Sequence, residues 1–306
     1  MSSVPSDASV YVDPSDNTTG SSLAMLYYCL EIAAIIFIGL GILPALLIGR
    51  VSRTVTWYMF MLSWMWFAIT NTFLAGRHSS TEPPFPLCLF QAALIYASPV
   101  FTSATGLAFI IELYLRLGSM TPGLPISKSR LLPLVALPLL LNLTVFLEVI
   151  TYGLHNRSAV LLNPSGLYCH ITTDVQANFA ALLIILLVVP AILIEALTAI
   201  SFYYNYKHVY NNLGATAESS PSPFSPTLFI RTVFFTFVAT IALAISAVSL
   251  EYPSSILKTG QTVAQASLPL ACALVFLTQM DIVQSWSLPR RSSHKLVCTN
   301  SSAGTV

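Results

Sequence analysis

Apolar residues in this chain gather into seven long runs separated by short polar segments. A helix needs roughly 20 mainly apolar residues to cross ~30 Å of hydrocarbon. The runs fall at 24–49, 56–75, 88–115, 131–152, 177–205, 228–250 and 261–286. The pattern predicts an all-α membrane protein, a seven-transmembrane-helix bundle over 24–286. Residues 1–23 form a polar, disordered tail ahead of it, and 287–306 a second tail behind it. Pro44, Pro99, Pro190 and Pro269 lie inside runs and are candidate bend points. The third run is the most polar, with Gln91, Tyr96, Ser98, Thr102, Ser103, Thr105 and Glu112. No internal repeat is visible.

Charge orients the bundle. With the N-terminus outside, Arg50, Arg53, Arg116, Lys128, Arg130, Lys207, Arg231, Arg290, Arg291 and Lys295 fall in the cytosol. Arg77, Arg157 and Lys258 fall outside, which accounts for all 13 basic residues. Basic residues in short loops favour the cytosolic side, so the N-terminus is expected outside and the C-terminus in the cytosol. The first 22 residues carry Asp7, Asp13 and Asp16 but no Lys or Arg, unlike a secretory signal. The first run is expected to act as its own insertion signal.

Composition narrows the class. Charged residues make up 8% of the chain, against about 25% in soluble domains. That leaves too little polar surface for a water-soluble body. No basic tract long enough for nucleic acid appears. The linker 207–226, rich in Asn, Gly, Ser and Pro, reads as a flexible cytosolic loop.

Five cysteines divide by side. Cys29 and Cys272 lie within runs and Cys298 in the cytosolic tail. Cys88 opens the third run and Cys169 lies between the fourth and fifth, both on the oxidising side, where a disulfide is permitted. Two free thiols are the alternative. A bridge would pin that loop over the mouth of the bundle. Cys298, beside Arg290, Arg291 and Lys295, is a candidate for palmitoylation.

Ionisable residues within a bilayer are costly and usually face the bundle interior or water. Glu31 and Glu148 lie toward the outer face and, with Gln91, Tyr96 and Gln265, are candidates to line a ligand pocket. The competing reading has the carboxyls protonated or reaching the interface. Glu112 and Arg116 are four apart at the cytosolic end of the third run, in the favourable order for an ion pair. They form either an interfacial anchor or a breakable latch toward a cytosolic partner, with Arg231 and Asp281 as further coupling candidates.

Familiar chemistries are missing from the pattern. The seventh run has no lysine for a retinal Schiff base. Neither a His-Glu-x-x-His motif nor a Walker phosphate loop occurs. The five histidines lie outside the runs. No enzyme activity, cofactor or metal is expected.

Seven runs, an outer N-terminus and a third-run cysteine matched to the second outer loop together resemble the G-protein-coupled receptor superfamily. Thr56-Trp57-Tyr58-Met59-Phe60-Met61-Leu62-Ser63-Trp64, and Cys88-Leu89-Phe90-Gln91-Ala92-Ala93-Leu94-Ile95-Tyr96 with Pro99, look like orphan seven-helix proteins of mushroom-forming fungi. The resemblance implies a plasma-membrane receptor for an external ligand that signals through a heterotrimeric G protein. The chain departs from rhodopsin-type receptors where Glu112-Leu113-Tyr114-Leu115-Arg116 stands in place of Asp/Glu-Arg-Tyr. It also lacks the Asn-Pro-x-x-Tyr of the seventh span and the proline of the sixth. A seven-helix lipid or small-solute transporter is the alternative.

The orientation makes a direct prediction. Glycan should be found on Asn17 or Asn156, both expected outside, and never on Asn300 of the cytosolic tail. Peptide mapping of the native chain checks this, and glycan on Asn300 would reverse the topology.

Overall fold

The computed structural model describes residues 14–47, 53–76, 83–118, 128–163, 166–212, 226–251 and 255–278. Seven helices run through them: α1 Pro14–Leu47, α2 Val55–Thr72, α3 Phe85–Gly118, α4 Lys128–His155, α5 Asp174–Asn212, α6 Pro226–Glu251 and α7 Ser255–Leu277. Five are long and apolar enough to cross a membrane, and α6 carries a shorter apolar stretch, Phe229–Ile245. Large apolar side chains remain exposed along α4 and α5, among them Leu132, Leu140, Leu182, Leu186 and Leu193. Such a surface suits lipid as solvent.

Several boundaries differ from the hydrophobic pattern. Helix α1 begins at Pro14, well inside the stretch read as a disordered tail. Proline suits the first helical position because the N–H it lacks would go unpaired there anyway. Helix α5 continues to Asn212, through the start of the segment read as a flexible loop. Helix α7 takes in Lys258, which the sequence placed in a connection. A helix satisfies its own backbone, so it need not stop where apolar residues give out. Asp281 and Cys298 lie outside the described residues.

The link between α4 and α5 is not purely irregular. Strands β1 (Val160–Leu162) and β2 (Cys169–Ile171) pair antiparallel, with Leu162 opposite Cys169. The connecting turn is closed by Asn163 N–H to Tyr168 O at 2.8 Å and Gly166 N–H to Asn163 O at 2.7 Å. Gly166 has φ +71°, a conformation only glycine adopts without strain. Asn163-Pro164-Ser165-Gly166 between apolar triplets is a turn signal that the seven-run reading passed over.

Helix α3 is the central pillar, packing against α2, α4, α5 and both strands. Toward α4 and α5 it presents Ala93, Ala97 and Ala104, around which Val145, Val149 and Leu187 close. Small residues permit the close approach that van der Waals packing in lipid requires. Gly153 of α4 is needed for the same reason, since a side chain there would meet Leu89 of α3. Toward α2 the interface is polar. Thr56 donates to Glu112, Ser63 and Thr105 share a hydrogen bond at 2.8 Å, and Thr70 and Ser98 another at 3.3 Å. The positions step by seven on both helices in opposite directions, giving an antiparallel ladder.

The bundle centre, toward the end away from the hairpin, is aromatic. Phe60 stacks on Phe109 at 5.5 Å and meets Phe235 and Phe276 edge-on at 5.9 and 5.5 Å. Trp64 adds an edge contact to Phe235 at 5.3 Å. These rings join α2, α3, α6 and α7 and fill the middle of the bundle.

Cys88 and Cys169 are bonded, with Cα atoms 5.3 Å apart, tying β2 to the start of α3. Replacing either cysteine by serine should lower the unfolding midpoint in detergent by the equivalent of about 2–4 kcal/mol. Replacing both should cost no more than either alone, because each acts only through the bridge. Additive losses would reject this.

Candidate functional site

Polar groups collect at two ends of the bundle. At the hairpin end, Glu31 of α1 is fully buried, 0% exposed. Asn71, in the last turn of α2, donates from Nδ2 to Glu31 Oε1 at 2.6 Å. The other carboxyl oxygen is buried and has no hydrogen-bond partner among the described residues. Tyr27 lies within electrostatic reach of Glu31 and of Tyr168 in the hairpin, and Tyr168 within reach of Tyr96 on α3. The three phenols thus run from α1 to α3 beneath the hairpin.

The hairpin is seated on these helices by specific bonds. Gln91 Oε1 accepts from Cys169 N–H at 3.0 Å, leaving its buried amide nitrogen unpaired. Tyr96 OH bridges the N–H and C=O of Ile171, each at 3.4 Å. At the tip, Leu167 is 1% exposed, packed among Ala24, Tyr27, Tyr28 and Ala266. Tyr28 OH donates to Leu167 O at 3.3 Å. Burial pushes the Tyr168 phenol up and the His170 imidazole down, the latter opposed by a hydrogen bond to Leu161.

Of the residues expected to line a pocket, Gln91 and Tyr96 bond the hairpin backbone, and Glu31 is buried on α1 against Asn71. Gln265 is half-buried on α7, next to Ala266. Glu148 stands apart, between α4 and α5, approached by Gln176. Asn156, a glycosylation candidate, is half-buried, its amide donating to Tyr152 O at 3.3 Å. Asn17 lies in the first turns of α1.

At the opposite end, Glu112 is 2% exposed and the Arg116 side chain 48% exposed. Arg116 donates from Nε and one terminal nitrogen to Glu112 Oε1 at 2.8 and 2.6 Å. Thr56 holds Oε2. Thr54 caps α2 by accepting from Trp57 N–H at 3.2 Å, and also contacts Thr56 at 3.2 Å. The pair is therefore half-buried and braced, rather than exposed on one helix face. Arg231 takes no part in it. Its guanidinium donates to Val275 O, Thr278 Oγ1 and Thr278 O, at 2.8, 2.8 and 2.7 Å, closing the end of α7. Helix C-termini leave carbonyls unpaired, which is why a cation settles there.

The sequence reading missed Asn71, Thr56, Tyr27, Tyr168 and Leu167. Thr56 could have been found by the seven-residue spacing of hydroxyls on α2 against that on α3, whereas Asn71 depends on how α1 docks against α2. The others depend on where the hairpin lands.

No family model matches the chain, and no curated protein matches it in sequence. Among solved structures it is similar to the crystal structure of squid rhodopsin, at 13% identity and a TM-score of 0.61, over 92% of this chain and 90% of that one. The fold is a seven-helix bundle similar to that of squid rhodopsin. At this identity the likeness concerns the path of the helices.

Glu31 and Asn71 give a testable pair. Asn71→Leu should strip the carboxyl of its one hydrogen bond and cost about 1–3 kcal/mol. Glu31→Met combined with Asn71→Leu should recover most of that loss, because both polar partners are then gone. Unfolding midpoints in detergent check it, and a double variant as weak as the sum of the singles would show that the bond carries no coupling.

Proposed function

We propose that the protein is a plasma-membrane receptor, N-terminus outside, that binds an external ligand at the hairpin end and signals to a heterotrimeric G protein at the other. One observation carries the reading: a buried polar cluster with unmet hydrogen-bonding capacity lies beneath a disulfide-held hairpin, in a seven-helix receptor fold. Glu31, Gln91 and Tyr96 are the ligand-facing candidates, with Gln265 and Glu148 flanking. A ligand that satisfied them in only one helix arrangement would shift the balance between arrangements. The likeness of the second and third helices to orphan fungal receptors belongs to the same reading.

The braced Glu112–Arg116 pair supplies a breakable contact at the cytosolic end, with Arg231 on α6 and Asp281, which lies outside the described residues, as further coupling candidates. A transporter would need a polar path through the bundle. The ring cluster of Phe60, Trp64, Phe109, Phe235 and Phe276 supports the receptor instead, since it closes the middle with apolar surface.

The test is co-purification. A G-protein α subunit should be retained by the expressed chain and released by GTP. Glu112→Gln should raise basal nucleotide exchange about fivefold, taking about 1 kcal/mol for a pair with one half-exposed partner. A chain that retains no α subunit, and exchange unchanged in the variant at normal surface level, would sink the proposal.

A further inference from the structure

A shallow groove of about 410 Å³ runs between α6 and α7, lined by Ile230, Arg231, Phe234, Leu274, Val275 and Thr278. Its volume lies within the ~300–1,000 Å³ of ligand clefts. Its walls are apolar and open to the outer surface of the bundle, with Ile230, Phe234 and Leu274 all exposed. Hydrocarbon is the solvent that such walls accept. One charged group stands in it, Arg231.

The guanidinium is only partly used. NH1 donates to Val275 O and Thr278 Oγ1, and NH2 to Thr278 O. Arginine has five N–H donors in a planar fork. Among the described residues, Nε–H and the second N–H of NH2 have no acceptor. The Nε–H and the N–H of NH2 that faces it make up the edge of a guanidinium that grips a phosphate through two parallel hydrogen bonds. The carbonyl end of α7 is already neutralised by the NH1 side. The positive end of α6 begins about one and a half turns before Arg231 and adds to the local field.

We propose that this groove is a site for an anionic phospholipid, with its phosphate on the Nε/NH2 edge of Arg231 and an acyl chain along Ile230, Phe234 and Leu274. Charge selects the lipid, and the apolar walls distinguish it from a free phosphate. Bound there, it would bridge the ends of α6 and α7. The site requires only that the chain lie in a bilayer, so its test is independent of signalling.

The full chain would be reconstituted in phosphatidylcholine bilayers containing phosphatidylglycerol, extracted gently, and its retained lipid counted by native mass spectrometry. Phosphatidylglycerol should be enriched about fivefold over its share of the bilayer, the effect of one basic residue near an anionic surface. Arg231→Gln should bring it to parity. Because that variant also loosens the end of α7, a second is needed. Leu274→Trp should fill the groove while leaving the Arg231 bonds in place, and should abolish enrichment at an unchanged melting temperature. No enrichment in the wild type overturns the proposal, as does full enrichment in Leu274→Trp, which would assign the lipid to another basic surface or the groove to the chain's own segment beyond Thr278.

Discussion

The polar ladder between α2 and α3 is the constraint on which the rest of the bundle depends. Between helices in lipid there is no hydrophobic drive, because the tails are as apolar as leucine. What fixes one helix against another is close packing and the need of polar groups to find partners. Thr56 with Glu112, Ser63 with Thr105 and Thr70 with Ser98 set both the distance and the register of the two helices. A slide by one helical turn would misplace every rung together. With that pairing fixed, α3 presents its alanines to α4 and α5, its first turn to the hairpin, and Glu112 to the opposite end.

The two ends are held in different ways. Near Glu112, the carboxylate has Arg116 and Thr56, α2 is capped, and the end of α7 is closed by Arg231. Under the hairpin, Glu31 and Gln91 each keep a buried polar atom with no partner among the described residues, as the Trp57 indole does at the other end. Unmet capacity in a protein interior is costly. The ring cluster lies between these ends and couples α6 and α7 to the α2–α3 pair.

Much of this was legible from the chain. Seven apolar runs gave the helices, because a bilayer demands their length. Cys88 and Cys169 could be paired because the charge count left both on one side. Glu112 and Arg116 could be paired because i,i+4 neighbours lie on one helix face. What could not be read depends on contacts between distant segments. Asn71 reaches Glu31 only once α1 and α2 are docked, and Arg231 turns to α7 because that helix ends beside it. Helix ends were misjudged at Pro14, Asn212 and Lys258, where hydropathy falls but backbone bonding continues.

The hairpin has the mechanics of a cantilever. Its root is fixed to α3 by a covalent bond at Cys169 and by the side chains of Gln91 and Tyr96. Its tip rests on α1 and α7 through the packing of Leu167 and a 3.3 Å bond from Tyr28. A beam so mounted bends at the free end first. The end of the hairpin held by a covalent bond is therefore the one over α3, and the end over α1 and α7 is held by packing and hydrogen bonding alone.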